Sequence, residues 1–341
     1  MSRQEERKLW RRERQRRMDA KWRKYHKHHK PYPQVAKGML SFSFPTREEV
    51  PSKGIVNSPA SLSILNDVHS CVRFFSNIRN QAKEVQSEIV KRVTLNIANI
   101  QEIDLPATMV LNALGRELKG YGINLCGNFP QNVGCYDFFV KTGFLNDKYN
   151  NKGVRFNKSE KTDYFTLNKG QGRLSVEDTV KICKIVKHAC DHLEREDFYD
   201  DVVAVVKEIA GNSIEWSHSY KEQWTLGVMF DDACVTFTIL DLGRGILDTI
   251  FRKFKLKNLF SNDIDFLNDV FDKQYSSSSK EGNRYKGLPS IKKAYIDGKI
   301  QHLFVMTNSV LISFDSSDRS TQFSQSRKAF NGTLYYWEIR K

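Results

Sequence analysis

The chain of 341 residues is long enough for two ordinary domains. Its 40% hydrophobic, 12% aromatic and 28% charged residues exclude wholesale disorder, and no apolar run approaches the roughly 18 residues of a membrane span. The six cysteines (Cys71, Cys126, Cys135, Cys183, Cys190, Cys234) form no CxxC pair, which argues against a disulfide framework or zinc ribbon and for reduced thiols in a cytoplasmic protein.

The net charge of +14 is concentrated at one end. Residues 1–30 carry 13 Lys/Arg against four acids, a charge of +9, and the first twenty are too charged for the apolar stretch of a secretory leader. Residues 1–36 read as an exposed basic helical arm, ended by Pro31 and Pro33. Three roles are open to it: a solvated tail, a contact with a protein or membrane surface, or a nucleic-acid contact through clustered Arg and Lys, with Trp10, Trp22 and Tyr25 for stacking. The last role predicts steeply salt-dependent binding that is lost on deleting residues 1–30. His26, His28 and His29 lack acidic or thiol company, so they make a poor metal site.

A small α/β domain is expected over 52–145. Leu62, Ile64, Val68, Val72, Phe75 and Ile78 recur at three-to-four spacing and predict a helix within 62–89. Strands at 93–97 and 123–126 alternate with helices at 107–119 and 132–141, an order that implies a parallel element. Residues 146–175, rich in Asn, Lys and Gly, read as a linker. The second domain, 176–341, opens with helices at 176–193 and 199–217. Strands are predicted at 224–230, 233–240, 302–307, 309–314 and 333–339, which predicts a helical layer on a mixed, largely antiparallel sheet.

Four short elements of this second domain carry chemistry. Glu208 and Asn212 are four residues apart on a helix and project from one face. A strand runs into Asp241-Leu242-Gly243-Arg244-Gly245-Ile246. Gly282-Asn283-Arg284-Tyr285-Lys286-Gly287-Leu288 follows, and Gly332-Thr333 opens the last strand. These parts suit a nucleotide. An Asn amide oxygen can ligate magnesium without adding charge beside phosphates. A Glu one turn earlier can orient and deprotonate a water. A strand-end Asp can accept from an exocyclic amine, and glycines let the backbone approach a flat base. A Gly-Leu entering a helix offers N–H groups and a positive helix end to phosphates.

On these residues, 176–340 resemble the GHKL ATPase domain shared by gyrase-type topoisomerases, heat-shock chaperones, histidine kinases and mismatch-repair proteins. The Glu208–Asn212 helix matches its Asn box, Asp241 to Gly245 its first glycine box, Gly282 to Leu288 its second, and Gly332-Thr333 the last. The resemblance implies a Bergerat-fold α/β sandwich with ATP and Mg2+ as cofactors. It implies Glu208 as catalytic base, Asn212 as metal ligand, Asp241 for adenine, and Gly243, Gly245, Ile246 and Thr333 around it. Arg284, Lys286, Gly287 and Leu288 would hold phosphates in a lid, although Asn283 to Lys286 stand where further glycines are common. Residues 93–143 more distantly resemble the STAS fold of anti-sigma-factor antagonists, through a strand, Ile103-Asp104 at a helix entrance, a strand ending in Gly127, and Thr142-Gly143-Phe144. Leu105 and Pro106 follow Asp104 where that family's signalling members carry a phosphorylatable Ser, and Thr108 is a poor substitute.

Other chemistry is disfavoured. His188 and His192 are not followed by the HE or HD dipeptide of a sensor-kinase phosphoacceptor, Cys190 points away from both, and no GxSxG occurs. The expectation is an ATP-binding regulatory protein or ATPase, in bacterial regulation or genome defence, in which ATP orders a lid and controls a protein partner. The alternatives are an anti-sigma-like sequestering module and a protein serine kinase. A homodimer is compatible with the sequence.

Overall fold

The computed structural model describes residues 55–88, 91–145, 165–171, 174–217, 223–254, 262–272 and 287–341. The basic arm, most of the segment read as a linker, and Arg284 and Lys286 lie outside them.

The first half runs β1 (Ile55–Asn57), β2 (Ser61–Leu62), α1 (Val68–Glu84), β3 (Arg92–Asn96), β4 (Glu102–Ile103), α2 (Leu105–Gly120), β5 (Asn124–Gly127) and α3 (Val133–Lys141). Strands β1, β3 and β5 form a parallel sheet in that order, and β2 pairs parallel with β4. The first helix starts at Val68, six residues after the start of its expected span. Asp67 caps it by accepting from Ser70 N at 3.0 Å, and Leu62 and Ile64 are buried in the strand and turn before it.

Helix α2 is built around Asp104. That carboxylate accepts from Ala107 N at 2.7 Å as N-cap, and also from Ser63 Oγ at 2.9 Å and Leu65 N at 3.0 Å. It thereby ties the β2 turn to the helix. Burial pushes its carboxyl up to about 6, against the opposing pull of these donors. Thr108 is buried and its hydroxyl donates to the Asp104 carbonyl at 2.9 Å.

The second half runs β6 (Phe165–Gln171), α4 (Val176–His192), α5 (Tyr199–Ser217), β7 (Gln223–Phe230), β8 (Cys234–Asp241), α6 (Ile246–Phe254), α7 (Asp263–Phe271), α8 (Gly287–Ile296), β9 (Gln301–Asn308), β10 (Val310–Ser313), β11 (Thr321–Gln322) and β12 (Phe330–Arg340). The seven strands line up as β11-β10-β9-β12-β8-β7-β6, and every pairing among them is antiparallel. Parallel pairing among the described residues is thus confined to the first half. Strand β6 corrects the linker expectation: residues 165–171 form the edge of the large sheet, paired along β7. Strand β12 also starts earlier than predicted, at Phe330, and its pairing with β9 shifts register between Phe330 and Thr333.

Both faces of the large sheet are covered. Leu303, Val305, Tyr335, Trp337, Ile339, Phe237 and Ile239 face the helical layer of α4 to α8 and share its core. Their neighbours along the same strands, Phe304, Met306, Leu311, Leu334, Tyr336 and Leu240, share a core with α1 and α2. The period-two alternation therefore separates two apolar clusters, in place of an inside from an outside. Contacts across the second face are specific. Gly227 on β7 leaves room for the Met109 sulfur, and Arg116 Nη2 donates to Thr225 Oγ1 at 2.6 Å. Ser76 Oγ donates to Ala329 O at 3.5 Å.

Candidate functional site

The pairing register of the large sheet places the site. Trp224 on β7 lies opposite Asp241 on β8, Asp241 lies opposite Thr333 on β12, and Thr333 lies opposite Thr307 on β9. Directly opposed residues of antiparallel strands share a face, so the four form one row across the sheet end, on the helix side. Asp241 is only 3% exposed and Thr333 5%, so the carboxylate works in a low-dielectric setting.

Helix α5 lies over this side of the sheet and packs on β7, β8, β12 and α8. Val202, Val206, Ile209 and Ala210 bury its inner stripe, and half-buried Glu208 and Asn212 lie beside it. The amide nitrogen Nδ2 of Asn212 is buried and makes no hydrogen bond. The Glu208 carboxylate lies against Gly287, the first residue of α8. A Cβ at Gly287 would fall within the space of Glu208 Oε1 and Cδ, so a larger residue there would require the Glu208 side chain to move. Leu288, the next residue, is buried in the helical-layer core.

The turn from Asp241 into α6 is held from below by residues that sequence reasoning missed. Ile246 N donates to Thr307 Oγ1 at 2.9 Å, and Leu247 N donates to Asn308 Oδ1 at 3.0 Å. Thr307 and Asn308 thus cap α6 from a neighbouring strand. Asn308 Nδ2 donates to Arg244 O and to Arg327 O, both at 2.9 Å. Gly245 has φ +82°, and its α-carbon is pressed against the Asn308 amide, so both the backbone angle and the space require glycine. Half-buried Gly243 lies within the turn. Gly332, at φ +137°, brings β12 against the Asp241 carbonyl and so next to the row. Asn308 itself has φ 56°, a conformation asparagine tolerates. Its place between two strand patterns signals a tight turn, but nothing local announces that it clamps a loop some sixty residues earlier.

Below the row sits Tyr335, 1% exposed. Its hydroxyl makes no hydrogen bond, and neither does the Trp224 indole nitrogen, on another side chain only 1% exposed. Burial pushes the Tyr335 hydroxyl pKa well above the ordinary phenol range, and the charges of Asp241 and Glu208 push it further. Three buried side-chain donors on these elements, Asn212 Nδ2, Trp224 Nε1 and Tyr335 OH, make no hydrogen bond. Of the residues expected in the site, Asp241 and Thr333 lie in the row, Glu208 and Asn212 on α5, Gly243, Gly245 and Ile246 in the turn into α6, and Gly287 and Leu288 at the start of α8. Arg284 and Lys286 lie outside the described residues.

The histidines of α4 are placed elsewhere. The His188 and His192 rings pack on Phe230 at 4.9 and 5.7 Å, and His192 Nε2 lies 2.9 Å from Asp231 O. Cys190 is buried in the core.

No protein-family profile matches the chain, and no curated protein matches it in sequence. Among solved structures, a mycobacterial sensor histidine kinase, MprB, aligns over 51% of this chain and 97% of its own, at 12% identity and a TM-score of 0.26. Among the described residues no helix is long and apolar enough to cross a membrane.

Proposed function

We propose that the chain is an ATP-binding regulatory protein of the GHKL type, with ATP and magnesium held where α5, α8 and the end of the large sheet meet. The observation that carries this reading is the pairing of Asp241 with Thr333 in one buried row beneath the helix that bears Asn212. The residues present fit the ligand. Asp241 supplies a buried acceptor for an exocyclic amine, and Thr333 adds a hydroxyl beside it. The buried amide of Asn212 has a free donor, and its oxygen can take one position on a magnesium ion whose other ligands are phosphate and water oxygens. Gly245 and Gly332 bring backbone close to the base position, and Gly287 opens α8 toward phosphates.

In this reading bound ATP supplies a phosphoanhydride, and the chain supplies orientation. Asp241 fixes the base, Asn212 aligns the metal end, and Glu208 orients and deprotonates a water where turnover occurs. The first half, read as STAS-like, contributes a docking surface rather than a phospho-switch. Leu105 and Pro106, which follow Asp104, are buried and carry no hydroxyl, and the Thr108 hydroxyl is spent on the Asp104 carbonyl.

Magnesium separates this role of Asn212 from a structural one. Asn212→Ala should weaken ATP binding far more with magnesium present than in its absence, measured by calorimetry on the full-length protein. Equal losses in both conditions would make Asn212 a packing residue and contradict the assignment.

A further inference from the structure

Asn308 can hold the turn into α6 with its amide only one way round. Leu247 N can only donate, so it needs Oδ1, while the Arg244 and Arg327 carbonyls can only accept, so they need Nδ2. A rotated amide would lose all three bonds. Of the two carbonyls, that of Arg244 belongs to the turn itself, and that of Arg327 belongs to the segment between β11 and β12. Whatever anchors residue 327 therefore helps to set the turn.

The anchor is a buried ion pair. The Arg327 guanidinium meets Asp263, the first residue of α7, with Nη2 2.7 Å from Oδ1 and Nε 3.1 and 3.2 Å from the two carboxylate oxygens. A guanidinium that engages both oxygens fixes geometry as well as charge. The Asp263 side chain is only 7% exposed and that of Arg327 24%. Asp263 Oδ2 also accepts from Ser309 Oγ at 2.6 Å. One carboxylate thus grips the residue that follows Asn308 in sequence and the residue whose carbonyl receives the Asn308 amide. The same guanidinium lies 3.6 Å from the centre of the Phe251 ring, further along α6. Helix α6 is therefore held at its entry by the Arg327 carbonyl, through Asn308, and along its length by the Arg327 side chain.

We propose that Asp263 and Arg327 are a positioning pair for base recognition: through Asn308 they set the path of the chain immediately after Asp241, and with it the alignment of that carboxylate with an exocyclic amine. The proposal rests on the nucleotide reading and deepens it, since it makes selectivity for an amino-bearing base depend on two residues that act through a third.

Calorimetry of the full-length protein with magnesium tests this by comparing ATP with inosine triphosphate, which carries a carbonyl in place of the amine. Wild type should prefer ATP. Arg327→Gln alone leaves the Asp263 carboxylate buried without its counter-charge, so the decisive protein carries Asp263→Asn together with Arg327→Gln, which removes both charges. Thermal unfolding checks that it is folded. It should bind ATP about tenfold more weakly and inosine triphosphate unchanged, whereas a merely structural loss would weaken both alike. In an Asp241→Asn background, where the amine has lost its acceptor, the double change should have no further effect on ATP. The proposal is overturned if the folded double variant keeps the wild-type preference for ATP, if both nucleotides weaken equally, or if the effect persists in full without the Asp241 carboxylate. A double variant that does not fold overturns it too, since the pair is then structural. Wild-type protein that binds neither nucleotide, or both equally, would instead overturn the nucleotide reading itself.

Discussion

Single side chains hold this site by what they join. Asn308 is the clearest case: one amide, 1% exposed, caps α6 with its oxygen while its nitrogen holds the Arg244 and Arg327 carbonyls. Asn308→Ala removes the cap and leaves two carbonyls short of a donor, a loss on the order of 3 kcal/mol. Denaturant unfolding should show that loss, and a variant within 0.5 kcal/mol of wild type, roughly the range of a neutral surface change, would show that the clamp is redundant. Asp104 makes a pH prediction. Its carboxyl titrates near 6 in the folded chain against an ordinary 3.8. A raised folded value means that protonation favours the folded state. The group's contribution is therefore complete below about 3.8 and is lost as pH rises through 6, by on the order of 3 kcal/mol. Stability measured from pH 4 to 7 should fall more steeply in wild type than in Asp104→Asn. Parallel profiles would contradict the assignment.

At the scale of elements, close approach decides what each strand can carry. Gly227 sits in the middle of β7 because Met109 of α2 fills the space above it. Gly227→Val should overpack this contact by about 1–3 kcal/mol, read as a lowered denaturation midpoint, and Met109→Ala in the same chain should recover part of the loss. An additive double variant would show that the two do not meet. Much of this layer is legible in the sequence. The apolar spacing marks α2, α4 and α5, and the β-branched and aromatic runs mark β7 to β10 and β12. The start of α1 was missed because Leu62 and Ile64 continue a helical spacing that Asp67 interrupts with a cap. Strand β6 was missed because Phe165 to Gln171 lies in an Asn-, Lys- and Gly-rich stretch, and its partner β7 is more than fifty residues away. The site residues that sit at motif ends, Asp241, Asn212 and Gly287, announce themselves. Trp224, Thr307 and Tyr335 do not, because their place depends on the register of β7, β9 and β12 against β8, which no local pattern states.

At the largest scale, the described residues are organised around one seven-stranded sheet with two apolar faces. A strand such as Leu334-Tyr335-Tyr336-Trp337 reads as a plain apolar run, and only the packing shows that alternate residues belong to different cores. The first half is consequently built onto the face of the sheet opposite the one that carries Asp241. The two halves should unfold in a single cooperative transition, with far-ultraviolet dichroism and tryptophan fluorescence coincident. Two resolved transitions would contradict the shared core. The sheet also links the halves mechanically: Thr225, which receives the Arg116 bond, is the residue after Trp224 in the site row.

The most direct measurement is a calorimetric titration of the full-length protein and its Asp241→Asn variant with ATP in the presence of magnesium. Asparagine keeps the size of the side chain and removes the carboxylate acceptor. Wild type should bind, and the variant should lose roughly 1.5–3 kcal/mol, about tenfold to a hundredfold in affinity, at an unchanged melting temperature. A folded Asp241→Asn protein with wild-type affinity for ATP would contradict the assignment of this row as the base-binding floor, and with it the central claim.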